Sequence, residues 1–145
     1  MLGTGSAPFD AERAFTKASR ARRRAALARR LRRRPSAQEL PVYDGRGARA
    51  GAVRGIREIP LCAILGTTEP GKAALFDRAF RPAAAVRSRW QRVWLAEHRG
   101  AVLPPISVVT VGCMYAIRDG HHRVSVAHAR GALTIDATVD GAAAA

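Results

Sequence analysis

Large apolar side chains are unevenly spread along this 145-residue chain. They gather between Ile56 and Val139, and the stretch before them is dominated by alanine, glycine and arginine. Residues 1–9 (MLGTGSAPF) are small and Gly- and Ser-bearing and predict a disordered N-terminus. Asp10 is placed to cap a helix that runs toward Arg34 and stops at Pro35, giving a helical arm over 10–35. Its apolar face is thin: Phe15 and Ala18, then Leu27 and Leu31 four apart. From Ser36 to Gly55 neither a helical nor a strand period is present, which predicts a flexible linker over 36–55.

The domain itself is expected over 56–140. "IREIPLCAIL" (56–65) suits a short strand, with Pro60 favouring an edge or a strand end, and "GTTEPGK" (66–72) reads as a polar loop. Phe76 and Phe80 lie one helical turn apart; Pro82 can open a further helix in which Val86, Trp90, Val93 and Trp94 recur at helical spacing until Gly100. "LPPISVVTV" (103–111) and "MYAIRD" (114–119) are strand-like runs that Gly112-Cys113 can join as a hairpin. A helix is predicted from His121 to about Arg130, then a last strand over 133–139 and a frayed tail at 141–145.

Charge changes the picture. The formal net charge is +14 and the pI near 11.6, values that point to a polyanionic partner, although a chain this rich in Ala, Arg and Gly is also what a GC-rich genome encodes. The distribution is therefore more telling than the total. Arg20, Arg22, Arg23, Arg24, Arg29, Arg30, Arg32, Arg33 and Arg34 follow one another with no acid between Arg13 and Glu39. Three readings fit such an arm: a DNA- or RNA-binding helix, a membrane-surface helix, or a solvated product of composition. Nucleic acid fits best, because a membrane helix needs larger apolar residues than alanine. With no aromatic beyond Phe9 and Phe15 to stack on bases, binding there would be to phosphate and largely independent of sequence.

Cys62 and Cys113 sit in no disulfide or zinc spacing, so a reducing, cytoplasmic setting is expected. No stretch approaches the roughly 18 apolar residues of a membrane span, and the N-terminus lacks the hydrophobic core of a signal peptide. Oligomeric state is not readable from the sequence.

The chemistry concentrates at "AIRDGHHRVSVA" (116–127), where a strand delivers Asp119 and Gly120 to the start of a helix. The first turn of a helix leaves backbone N–H groups unpaired at the positive end of the macrodipole, and glycine lets a ligand approach closely. A phosphate there gains roughly 0.3–2 kcal/mol from the dipole, and a charge-assisted bond from Arg123 would add about 1.5–3 kcal/mol. The simpler alternative has Asp119 capping the helix, Gly120 making the turn, and His121, His122 and Arg123 solvated.

The segment from Leu103 to Val139 resembles the ParB/sulfiredoxin superfamily, specifically the ParB N-terminal domain, in which a strand leads to Gly-x-x-Arg-x-x-x-Ala at a helix start. Here that motif reads Gly120-His121-His122-Arg123-Val124-Ser125-Val126-Ala127. "IREIPL" is similar to the domain's short first strand, and "FDRAFRP", "RSRW", "LPPISV" and "DGHHRVSVA" resemble blocks of small stand-alone ParB-like proteins, so the likeness covers about Ile56 to Val139. It implies a compact α/β (α+β) domain with a small mixed sheet and packed helices, preceded here by the basic helix. It also implies that Gly120, His121, His122 and Arg123 hold the phosphates of a nucleoside triphosphate or diphosphate, with Mg2+ arriving on the nucleotide, in a regulatory or chromosome-partition-related module.

Two departures matter. ParB proteins usually carry Glu-Arg where this chain has His121-His122, and the chain ends without a helix-turn-helix, so a complete partition protein is not expected. Sulfiredoxin activity is not implied either, because the family's catalytic cysteine position is His121 here and Cys113 lies at the hairpin turn. A related branch of small-metabolite kinases uses an Asp-Gly-His-x-Arg turn. It supplies the enzyme alternative, a kinase or nucleotide hydrolase, with Asp119 as a metal or hydroxyl contact and His122 as a phosphate contact or proton carrier. Glu58 and Glu69 are its candidates for a general base.

His121, His122 and His128 do not converge as a metal set, since adjacent helix positions diverge by about 100°, and no protein-only metal site is expected. "GTTEPGK" lacks the spacing of a P-loop. In the fold that the resemblance implies it can approach the ligand, making Thr67, Thr68 and Lys72 secondary contacts.

Overall fold

The computed structural model describes residues 6–32, 38–45 and 48–142, with the backbone alone for 48–54 and 141–142. Four helices pack on a five-stranded mixed sheet, an α+β architecture. In chain order the elements are α1 (Ala7–Leu31), β1 (Ala48–Pro60), β2 (Ile64–Thr67), the single-turn α2 (Pro70–Ala73), α3 (Arg87–His98), β3 (Ile106–Val111), β4 (Met114–Asp119), α4 (His121–Ala129) and β5 (Thr134–Ala142). The sheet order is β1-β5-β3-β4-β2, with β1–β5 and β3–β4 antiparallel and β5–β3 and β4–β2 parallel.

The sheet is forced to curl. β1 and β2 are its two edges, yet only the helical turn Leu61–Ala63 separates them in sequence. Four residue steps reach at most about 14 Å, whereas five flat strands spaced about 4.8 Å apart would set the edges about 19 Å apart. The concave side takes the core: Ile106 and Val108 on β3, and Ala137 and Val139 on β5, alternate inward at the strand period and meet Trp90, Val124 and Val126 from the helices.

Several sequence expectations are revised. "IREIPLCAIL" is not one strand but two, because Pro60 ends the ladder with β5 and the chain turns to the other edge. "GTTEPGK" is split between the end of β2 and the start of α2. α1 begins at Ala7, with Pro8 in its first turn, so Ala7–Phe9 belong to a helix rather than a disordered terminus; residues 1–5, Arg33 and Arg34 lie outside the described residues. Its first half is core, not arm. Ala11, Phe15 and Ser19 are buried, and the Phe15 ring meets Trp90 edge-on at 5.5 Å. Leu27 and Leu31, by contrast, are exposed.

The expected linker is also largely structured. Leu40 is buried, Tyr43 donates its N–H to the Thr67 carbonyl at 2.8 Å, Thr67 donates to Pro41, and residues 48–55 already belong to β1. Pro41 lies so close to Gly66 that any Cβ there would collide with its carbonyl, which explains why a glycine stands in a strand. β5 likewise runs on into residues 140–142, and 143–145 lie outside the described residues.

Phe76 and Phe80 are four apart but not on a helix. They bracket a turn built on buried Asp77, whose Oδ1 accepts the N–H groups of Ala79 (3.0 Å) and Arg81 (2.9 Å) and whose Oδ2 accepts Arg81 Nε (2.7 Å). The turn holds Phe80 at φ 60, a left-handed conformation that costs a non-glycine residue about 1–3 kcal/mol. Three bonds to one carboxylate offset that strain. Asp77→Ala is expected to lower stability by about 2–4 kcal/mol in chemical denaturation; a loss below about 0.5 kcal/mol would mean that the turn stands without it.

Candidate functional site

β4 passes to α4 through one residue. Gly120 occupies the N-cap at φ 111, and a Cβ there would collide with the Ile106 side chain. No side chain caps α4. Asp119, the expected cap, instead turns away: its carboxylate is 77% exposed and accepts from Arg123 Nη2 at 3.1 Å. Val124 donates to the Gly120 carbonyl, and the N–H groups of His121, His122 and Arg123 meet no acceptor among the described residues. That is the arrangement in which a helix start can receive an anion.

The side chains of the motif do other work. Both histidines are buried against Phe76, His121 stacked at 6.3 Å and His122 edge-on at 5.4 Å. His121 Nε2 lies 2.6 Å from Thr67 Oγ1, which also accepts the Glu69 N–H at 2.9 Å. This contact joins the "GTTEPGK" segment to the start of α4. Thr68 is fixed beside it, donating its N–H to the Ile117 carbonyl at 2.9 Å.

Burial pushes both imidazoles down to about 4. For His121 the charges of Lys72 and His122 add to the depression and Asp119 opposes it; for His122 Arg89 and then Lys72 add to it. The histidines are therefore neutral at pH 7, and His122 is not in the imidazolium form that acts as a general acid. Lys72 on α2 and Arg89 on α3 bring positive charge to these histidines.

Arg123 is a clamp. Its guanidinium donates to the carbonyls of Pro104 and Pro105 (the latter at 3.1 Å) and to Asp119, tying the loop before β3 to α4. Three protein acceptors already hold the guanidinium, so the side chain is fixed in place rather than free in solvent. Glu58 lies exposed on β1, opposite Asp136 of β5. Glu69 is at the start of α2, also exposed.

Arg89, Ser125 and Asp77 escaped the sequence reading. Trp90 Nε1 donates to Ser125 Oγ at 2.8 Å, and Ser125 Oγ donates to the Phe80 carbonyl at 2.5 Å. Further along, Arg130 lies over the Trp94 ring at 5.3 Å and 3.6 Å from Glu97. α3 and α4 thus run in the same direction, so both positive ends point to one end of the domain and Arg89 joins the His122 side of it. A lone serine between valines and an arginine before a tryptophan carry no local signal for this.

No group of three or more His, Cys, Asp or Glu placed to hold a metal occurs among the described residues, and no described helix is long and apolar enough to cross a membrane. No protein-family model matches the chain, and no curated protein matches it. Among solved structures the chain is similar to the crystal structure of sulfiredoxin from Arabidopsis thaliana, at 20% identity and a TM-score of 0.45, over 59% of this chain and 84% of that one.

The buried histidines generate a pH test. Their folded-state values lie below the ordinary 6.5, so between about pH 6.5 and 4 the unfolded chain binds more protons than the folded one, and stability must fall as pH falls through that window. Each contributes on the order of 2–3 kcal/mol that is present above pH 6.5 and lost toward pH 4. Denaturation of wild type and His121→Gln at pH 7 and pH 4.5 checks this: the variant should lose less stability between the two. An equal loss would contradict a buried neutral His121.

Proposed function

We propose that the start of α4 binds the phosphate groups of a nucleotide, and that the chain is a ParB-like nucleotide-binding module whose basic helix associates with nucleic acid. The observation that carries the first part is the uncapped first turn of α4 behind Gly120, with Lys72 and Arg89 supplying positive charge around it. The resemblance of Gly120–Ala127 to the ParB phosphate-binding motif supports the same reading. Backbone donors suit phosphate because they are fixed before the ligand arrives and leave less to be ordered on binding.

Thermal melting with CTP, ATP, GTP and ADP, with and without magnesium, tests it. A ligand that binds only the folded state raises its stability, by about 2.7 kcal/mol at a hundredfold excess over Kd. One nucleotide is expected to raise Tm, and Lys72→Ala and Arg89→Ala to weaken its binding about tenfold, as the loss of one charge-assisted contact does. Arg123→Ala is the poorer probe because it also releases the 104–105 loop. No shift with any nucleotide would reject the site. Turnover that depends on Asp119 would instead favour the kinase or hydrolase alternative.

The second half of α1 supports the nucleic-acid part. Arg20, Arg23, Arg24, Arg30 and Arg32 are exposed along it, whereas Arg22 is partly covered and donates to the Ala74 carbonyl at 3.3 Å. The helix is held at its base by Phe15 and by Arg87, which lies over that ring at 5.1 Å. Because the contacts are to phosphate, affinity for any duplex should fall by about a thousandfold or more between 50 and 200 mM salt. Replacing Arg23, Arg24 and Arg30 by alanine should flatten that dependence. Salt-insensitive binding would rule the arm out.

A further inference from the structure

Two cations beside the start of α4 are uncommitted. Arg81, Arg87, Arg118, Arg123 and Arg130 each face a carboxylate, whereas Lys72 and Arg89 meet none among the described residues. Both act on the ring of His122, Lys72 from α2 and Arg89 from α3. His122 itself is 8% exposed, and its ring nitrogens have no hydrogen-bond partner among the described residues, although neither is sealed from solvent. A polar group this deep finds a partner, and here it must be water or a ligand.

The basic half of α1 starts from the same place. Arg22 donates to the carbonyl of Ala74, which closes α2 two residues beyond Lys72. Two residues further on, a step of at most about 7 Å, the Phe76 ring packs against His121 and His122. From Arg22 the helix runs on to Leu31 with Arg23, Arg24 and Arg30 exposed. That length is about 14 Å, which matches about four phosphates at 3.4 Å per strand.

A free nucleotide also needs a wall for its base. The described residues enclose a cavity of ≈ 310 Å³, but it lies against His128 at the other end of α4, about 10 Å along the helix axis from His121. A ligand at the α4 start is therefore held by its phosphate, and gains most if it is tied to something the arm also holds.

We propose that the phosphate received by the α4 start is the terminal phosphate of a nucleic-acid strand whose backbone continues along the basic half of α1. This rests on the phosphate reading of that helix start and names its ligand. A terminal monoester offers three oxygens and a charge of about −1.5 to −2 at pH 7, more than the single charge of an internal phosphate. The extra oxygen and charge meet the open N–H groups of α4 with Lys72 and Arg89, and the internal phosphates meet the arginines of α1. Joining both contacts in one ligand makes the second intramolecular, so the polymer outcompetes the mononucleotide.

Fluorescence anisotropy tests this with an internally labelled oligothymidine of about twelve nucleotides, longer than the arm spans. It carries a 5′-phosphate, a 3′-phosphate or hydroxyls at both ends. One of the phosphorylated forms should bind about tenfold tighter than the hydroxyl form, the worth of one charge-assisted contact. Lys72→Ala with Arg89→Ala should erase that preference. Replacing Arg23, Arg24 and Arg30 by alanine should instead weaken all three oligonucleotides together and keep it. Equal affinity for all three, while a free nucleotide still raises Tm, would overturn the terminal-phosphate ligand and leave the helix-start site standing. Equal affinity with no nucleotide effect on Tm would remove both. A preference that survives Lys72→Ala with Arg89→Ala would overturn the α4 start as the place where the end is read.

Discussion

The passage from β4 to α4 through Gly120 is the constraint on which the rest of the domain depends. A residue with a side chain would be strained at φ 111 and would strike Ile106, so the position is glycine and cannot supply a capping side chain. The same residue aims α4 across the concave face of the sheet, placing His121 and His122 against Phe76, and Val124 and Val126 in the core. A helix thus starts at the sheet with its first N–H groups uncapped.

Neutral buried polar groups then lock the surroundings. Thr67 meets His121, and Ser125 links Trp90 to the Phe80 carbonyl, so β2, α3, α4 and the Asp77 turn are joined by hydrogen bonds in regions closed to water. Leaving any of these atoms unpaired would cost about 1–3 kcal/mol. Both histidines are neutral, and the cations Lys72 and Arg89 act from the neighbouring helices. On the sheet, Arg118 of β4 pairs with Asp140 of β5 across the intervening β3, tying three strands through one ion pair.

Elements with a strong period of their own were legible in the sequence. The β3–β4 hairpin and the helix behind Asp-Gly lie where alternation and glycine punctuation put them, and the helix carrying Trp90 and Trp94 follows its helical spacing but opens at Arg87 rather than at Pro82, which pairs with Phe76 instead. What was not legible depends on long-range contact. Pro60 signals a strand end but not that the chain crosses to the opposite edge. Residues 38–45 have no period because they pack as an irregular segment over β2. Phe76 and Phe80 mimic a helix by spacing alone, while Asp77, between them, imposes a turn. At the site, the sequence located the helix start but not the roles of its side chains: Arg123 looks the same whether it waits for phosphate or clamps Pro104 and Pro105.

The central claim is that the backbone at the start of α4, rather than the motif's side chains, receives phosphate. Its most direct test is an NMR titration of 15N-labelled protein with ATP, CTP and inorganic pyrophosphate. The account predicts saturable shifts of the His121, His122 and Arg123 amides with at least one of these ligands. Amides at the α4 start that stay fixed while the arginines of α1 respond would contradict it, and would place the anion on the basic helix instead.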